Sequence, residues 1–194
     1  MHIKTIIFDF GNVLIQDKVD LLEERSGFSH MPKNLQKQYS SVLEKTEIGK
    51  RPTRDFFNIT QKILAPKKSI KQLEEFFLSS KILPPFRLVD KLRKNYRILI
   101  LSNNQKNWPA KFAKKSGINL KKIPFLNSAK IGMRKPNKNI YLYMLKKYKL
   151  IPKECLFIDD QLRNLIPAKK LGLHTYQYRN NYKQLTQFLK KQGI

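Results

Sequence analysis

The 194-residue sequence has one cysteine, Cys155, so it can close no intrachain disulfide. It offers no cysteine cluster for zinc or iron–sulfur chemistry either. Its histidines, His2, His30 and His174, are scattered and spell no triad or imidazole metal site. No apolar run exceeds six residues, too short for a membrane-spanning helix. The apolar start MHIKTIIFDFGNVLI carries Asp9 inside the stretch that a signal peptide keeps uncharged. A soluble cytoplasmic protein with no membrane partner is the expectation. Acidic residues are the other scarcity, 14 against 40 Lys+Arg, for a net charge of +26. Residues 91–194 hold only three of them, Glu154, Asp159 and Asp160. Where acids are so few, an adjacent pair at the end of an apolar run asks for a chemical reason.

A surface this basic attracts anions, whether nucleic acid or phosphorylated metabolites. Only nine of the basic residues are Arg, the type that base readers favour. Lysine-rich compositional drift would produce the same total. Hydrophobic residues at 41% and aromatics at 11% supply a folded core.

Three apolar runs, 5–10, 97–101 and 154–158, read as buried parallel strands, and 174–178 as a fourth. Each of the first three stops abruptly in a polar cluster: Asp9-Phe10-Gly11-Asn12, Ser102-Asn103-Asn104 and Asp159-Asp160-Gln161. Helical patterns at 108–116, 139–148 and 163–171 alternate with them. Gly172 is the expected end of the last of these. That alternation predicts an α/β fold with a doubly wound, mainly parallel, Rossmann-like sheet, in which ligands sit beyond the carboxyl ends of the strands. The polar clusters would then share one rim. About 80 residues separate the first two strands. They show helical patterns at 20–25, 32–47, 53–64 and 69–79 and close on Pro84-Pro85. We read 16–86 as a helical insertion capping the rim of a core formed by 1–15 and 87–194.

The chemistry-bearing residues are individually modest signals. Asp9 ends a strand beside a turn, where many Asp residues merely cap. Asp159 and Asp160 repel one another unless an oxygen-liganded cation holds them together. Ser102 ends the central strand, and Lys135 precedes Pro136 in a long polar loop. Cys155 reads as a core side chain. Trp108 stands where it could line a site entrance or pack beneath the insertion.

Taken in order, IIFDFGNVL, ILILSNN, IGMRKPNKNIY and LFIDDQLRNLIPAKKLGLHTYQY resemble the four motifs of the haloacid dehalogenase-like (HAD) hydrolase superfamily. The helical insertion is similar to that family's C1-type cap. The Asp-x-Gly-Asn-Val wording of the first motif is closest to a phosphatase branch that includes glucose-1-phosphate phosphatase-like enzymes. The resemblance implies a magnesium-dependent phosphatase acting on a small phosphorylated metabolite. It implies Asp9 as nucleophile, and Mg2+ held by Asp9, the Gly11 backbone carbonyl and Asp160, with Asp159 behind them or as a ligand. Asn164 would take the later position of the fourth motif. Ser102, Asn103, Asn12 and Lys135 would bind the phosphoryl group, Lys135 also screening the charge of Asp9.

One departure stands out. Most family phosphatases carry a second Asp two residues after the nucleophile, serving as general acid and base, and here that position is Gly11. The expectation is a preference for good leaving groups, such as anomeric sugar phosphates or acyl phosphates. Asp17, at the entrance to the insertion, is a weak candidate substitute. Rival readings are a dehalogenase, which the Asp pair disfavours because it needs no metal, and a weakly active basic module binding phosphorylated ligands or nucleic acid. For the last, Tyr141, Tyr143, Tyr148, Tyr176, Tyr178 and Tyr182 could stack on bases.

Overall fold

A computed structural model describes residues 2–194; Met1, the first residue of the expected core, lies outside them. Five parallel strands form one sheet: β1 (Thr5–Phe8), β2 (Arg97–Ser102), β3 (Phe125–Asn127), β4 (Cys155–Asp159) and β5 (His174–Gln177), in the order β3-β2-β1-β4-β5. The chain winds outward from β1 to β3, then returns to build β4 and β5 on the other side. This reversal puts the switch point beside β1, where ligands collect in such sheets.

Strand side chains alternate between two cores. Ile6, Phe8, Ile98, Ile100, Leu156 and Ile158 bury on one face, and Ile7, Leu99, Leu101, Cys155 and Phe157 on the other. Helices cover both faces, so these strands read as unbroken apolar runs rather than alternating ones. β1 stops at Phe8 rather than at residue 10 because Leu14 and Ile15 both donate their amides to the Phe10 carbonyl, curling the chain. Asp9 still donates its amide to the Ile158 carbonyl at 2.8 Å, which anchors it at the strand tip.

Between β1 and β2 the chain forms α1 (Lys18–Arg25), α2 (Lys33–Glu47), α3 (Thr53–Leu64) and α4 (Ile70–Leu78). These helices enclose a separate apolar cluster built on Leu22, Tyr39, Phe56, Phe57, Leu73 and Phe77. The neck is a pair of crossing strands of chain. Gln16 donates its amide to Lys81 and Leu83 donates to Leu14, around an Ile15–Ile82 bridge. Pro85 occupies the N-cap of α5 (Phe86–Leu92), a helix that follows the Pro-Pro pair directly.

The core continues with α6 (Trp108–Ser116), α7 (Ser128–Ile131), α8 (Lys138–Tyr148), α9 (Leu162–Lys170) and α10 (Tyr182–Lys191). Gly172, at φ 89°, follows α9 in the left-handed region that favours glycine. Trp108 stacks on Phe112 with ring centroids 5.2 Å apart, and it packs against both the core and the insertion cluster. No helix among the described residues is long and apolar enough to cross a membrane.

Candidate active site

The tips of β1, β2 and β4 and the loop after α7 deliver polar segments to the same rim. The central group is Lys135, 1% exposed, whose Nζ lies 2.7 Å from Asp9 Oδ2 and 2.6 Å from Asp159 Oδ2. Burial alone would lower the Lys135 pKa. The two carboxylates outweigh it and hold the ammonium above its ordinary value. Asp9 is pushed well upward, by burial first and by Asp159 and Asp160 in addition, against the opposing pull of Lys135.

Asp159 is fully buried, and its contacts are all inside the protein. Its Oδ1 accepts the Gln161 amide at 2.8 Å, and Asn164 Nδ2 donates to both carboxylate oxygens at 3.0 and 3.1 Å. Asp160, the first residue after β4, lines a cavity. Burial and the charge of Asp159 raise Asp160 to about 6. Oxygens of Asp9, Asp159 and Asp160 all lie within 4.8 Å of one another. An all-carboxylate donor set of this kind fits a hard divalent cation such as magnesium. Asn164 adds a buried Oδ1 with no hydrogen-bond partner among the described residues.

The loops hold these groups by side-chain to backbone contacts. Asn103 clamps the Lys135 segment from both sides, donating to its carbonyl at 2.9 Å and accepting its amide at 2.8 Å. Asn12 adopts a left-handed φ of 53°, which asparagine tolerates better than most residues. Its Nδ2 donates to Asp20 at 2.7 Å and approaches Asp160 at 3.4 Å, while its Oδ1 accepts the Asp17 amide at 2.9 Å. Ser102 is 1% exposed, with its hydroxyl 3.4 Å from the Asn103 carbonyl; the cavity wall beside it is made by Asn103 and Asn104.

The cavity has a volume of about 210 Å³, the size of a small metabolite rather than a polymer. Asp9, Gly11, Lys135 and Asp160 form its floor, and the insertion helices supply Asp17, Asp20, Glu23 and Glu47. Arg134 crosses from the core and meets Glu44 at 2.7 Å and Glu47 at 2.9 Å, pinning α2 over the floor. Glu47, Arg134, Arg163 and Asn104 were not among the site residues expected from sequence. The i, i+3 pairing of Glu44 and Glu47 on one helix was the only local hint of the first two. Of the tyrosines considered for stacking on bases, Tyr141 and Tyr178 are buried and closed to a nucleic-acid strand.

The acids in this cavity are raised by burial: Asp17 and Glu23 to about 7, and Asp160 to about 6. The folded protein therefore binds more protons than the unfolded chain between roughly pH 4 and pH 7, and stability falls as pH rises through that window. In the absence of divalent metal, the melting temperature is expected to be higher at pH 5.5 than at pH 8, by about 3–10 °C. Magnesium should recover much of the loss at pH 8. Calorimetry at both pH values, with EDTA and with magnesium, checks this. A higher melting temperature at pH 8 in EDTA would contradict it.

The sequence matches the haloacid dehalogenase-like hydrolase family over residues 3–172. It is 27% identical to D-ribitol-5-phosphate phosphatase of Bacteroides thetaiotaomicron over 191 residues, 92% of this chain and 93% of the relative. A HAD-family enzyme of the same organism, solved with magnesium and inorganic phosphate, superposes with a TM-score of 0.71. That match has 23% identity and covers 94% of this chain and 98% of that one. An L-2-haloacid dehalogenase superposes with a TM-score of 0.68 at 18% identity, over 93% and 86% of the two chains. At these identities the superpositions speak to the fold alone.

Proposed function

The chain belongs to the haloacid dehalogenase-like hydrolases, and from that membership we propose that it is a magnesium-dependent phosphatase of a small phosphorylated metabolite. The observation that carries this reading is the Lys135 ammonium wedged between Asp9 and Asp159 at the floor of a cavity whose wall includes Asp160. Asp9 is the nucleophile and forms an aspartyl-phosphate. Its carboxylate and the dianionic phosphoryl group repel, and a buried ammonium within 3 Å of Asp9 offsets that repulsion where the dielectric is low. Magnesium, held by Asp9, Asp160 and the Gly11 carbonyl with Asp159 behind, would neutralise charge developing on the phosphoryl oxygens.

Asn103 sets the position of Lys135, and Asn12 that of Asp160 and the first loop. Ser102, at the tip of β2, would offer its hydroxyl to a phosphoryl oxygen. Residues 16–86 act as a C1-type cap, with Arg134 and its two glutamates closing the cavity against water. A polyol or sugar phosphate suits the small, hydrogen-bonding cavity. The ribitol-phosphate relative supports that choice, and the glucose-1-phosphate type of the first motif is the alternative within it. The dehalogenase reading leaves the third carboxylate without a task.

Incubating the purified protein with a panel of sugar, polyol and acyl phosphates, with magnesium or with EDTA, tests the proposal. Release of inorganic phosphate that needs magnesium is the expected result. No magnesium-dependent release from any member of the panel would sink it.

A further inference from the structure

A phosphomonoester cannot release an alkoxide readily, so its leaving oxygen needs a proton as the P–O bond breaks. The acids of the cavity can be sorted by what already holds them. Asp9 and Asp159 grip Lys135, Glu47 pairs with Arg134, and Asp20 accepts a hydrogen bond from Asn12. Asp160 belongs to the cation-binding set. Asp17 and Glu23 remain, neither in an ion pair among the described residues, and of the two it is Asp17 that adjoins residue 11. Asp17 Oδ1 accepts the Val19 amide at 2.7 Å, and its Oδ2 accepts no hydrogen bond among the described residues and faces the cavity.

The position of that oxygen follows from what is missing at residue 11. A Cβ built on Gly11 would lie only 2.8 Å from Asp17 Oδ2 and 3.4 Å from Asp17 Cβ. The Asp17 carboxyl therefore occupies the space that a side chain at 11 would fill, two residues along the same loop from Asp9. Glycine at 11 and aspartate at 17 form one arrangement, because any side chain at 11 would displace the carboxyl. Two contacts fix it there. The Asp17 amide donates to Asn12 Oδ1 at 2.9 Å, and its side chain caps the N-terminus of α1.

We propose that Asp17 is the proton-transfer residue of this hydrolase, donating to the leaving-group oxygen and then accepting from the attacking water. The role rests on the phosphatase reading above. In the first step Asp9 Oδ bonds to phosphorus, the P–O bond to the leaving group breaks with its electron pair on that oxygen, and the Asp17 proton makes the free alcohol. In the second, water attacks phosphorus, its proton passes to Asp17, and the P–O bond to Asp9 breaks. Inorganic phosphate leaves and both carboxyls return to their starting states. With Asp17 in this role, an alkyl phosphate with a poor leaving group becomes an accessible substrate, which Gly11 by itself argues against.

The test uses Asp17→Asn and Asp17→Ser, since both residues still cap a helix and neither has a carboxyl. Rates are measured on aryl phosphates of graded leaving-group acidity and on a primary alkyl phosphate, alongside a thermal melt of each variant. The expected result is a kcat loss of about 10²- to 10⁴-fold on the alkyl phosphate. The loss should shrink toward little or none on the most acidic aryl leaving group. An equal loss across the series, or none on the alkyl phosphate, would overturn the proton-transfer role while leaving the phosphatase reading intact. If wild-type protein hydrolyses no member of the series, the phosphatase reading falls and this role falls with it.

Discussion

Asp9→Asn should lower phosphate release by roughly 10⁴- to 10⁶-fold while leaving the fold intact. The carboxamide matches the carboxylate in shape but cannot attack phosphorus. Its structural effect should be small for a specific reason. Burial pushes the Asp9 carboxyl well above its ordinary value, so its ionised form is held in the folded state at a cost. A neutral amide removes that cost. Lys135 keeps its second partner, Asp159, at 2.6 Å and is not stranded as an unpaired buried charge. The melting temperature of the variant in EDTA is therefore expected to equal or exceed that of wild type. The stabilisation gained from added magnesium should shrink, because one proposed ligand has lost its charge. Steady-state phosphate release and melting with and without magnesium check the three outcomes together. Activity within tenfold of wild type would remove Asp9 from the nucleophile's role.

That Asp9 could be picked out of the sequence at all depends on local context. An apolar strand ending in Asp9-Phe10-Gly11-Asn12, and another ending in Asp159-Asp160, place carboxylates on one rim once parallel strands are assumed. Parallel strands follow from runs such as 97–101 that are apolar on both faces. Elements with little apolar content of their own were not legible. β3 is three residues long and acquires strand geometry only by pairing Phe125, Leu126 and Asn127 with β2. α10 contributes just two buried residues, Leu185 and Leu189, to the core. α5 lies behind Pro84-Pro85, which reads locally as a break. In the site, the same divide separates the carboxylates from what positions them. The ion pairs of Arg134 with Glu44 and Glu47 span about 90 residues of chain, and the filling of the Gly11 space by Asp17 depends on how the neck of the insertion folds back. No spacing rule in one sequence encodes such contacts.

Lys135 is where structural and chemical roles overlap, and the two are separable by experiment. Lys135→Met keeps the length of the side chain and removes the ammonium. Asp159, wholly buried, then loses the cation 2.6 Å away and keeps only the Asn164 and Gln161 contacts. Removing one partner of a buried ion pair costs about 3–5 kcal/mol. For a chain of this size, that corresponds to a fall in melting temperature of about 6–20 °C. Activity should fall by at least about 10²-fold, because Asp9 and the phosphoryl group then repel without a screen. A second substitution, Asp159→Asn, eliminates the uncompensated charge while retaining one acceptor oxygen for the Gln161 amide. In Lys135→Met/Asp159→Asn the melting temperature should recover most of the loss, while phosphate release stays at the level of the single variant. Recovery of both together would mean that the ammonium only holds the fold. Recovery of neither would mean that the buried charge at Asp159 is not what destabilises the single variant. Stability restored without activity assigns Lys135 to the chemistry when Asp159→Asn alone keeps its phosphate release, because the defect left is then the missing positive charge beside Asp9.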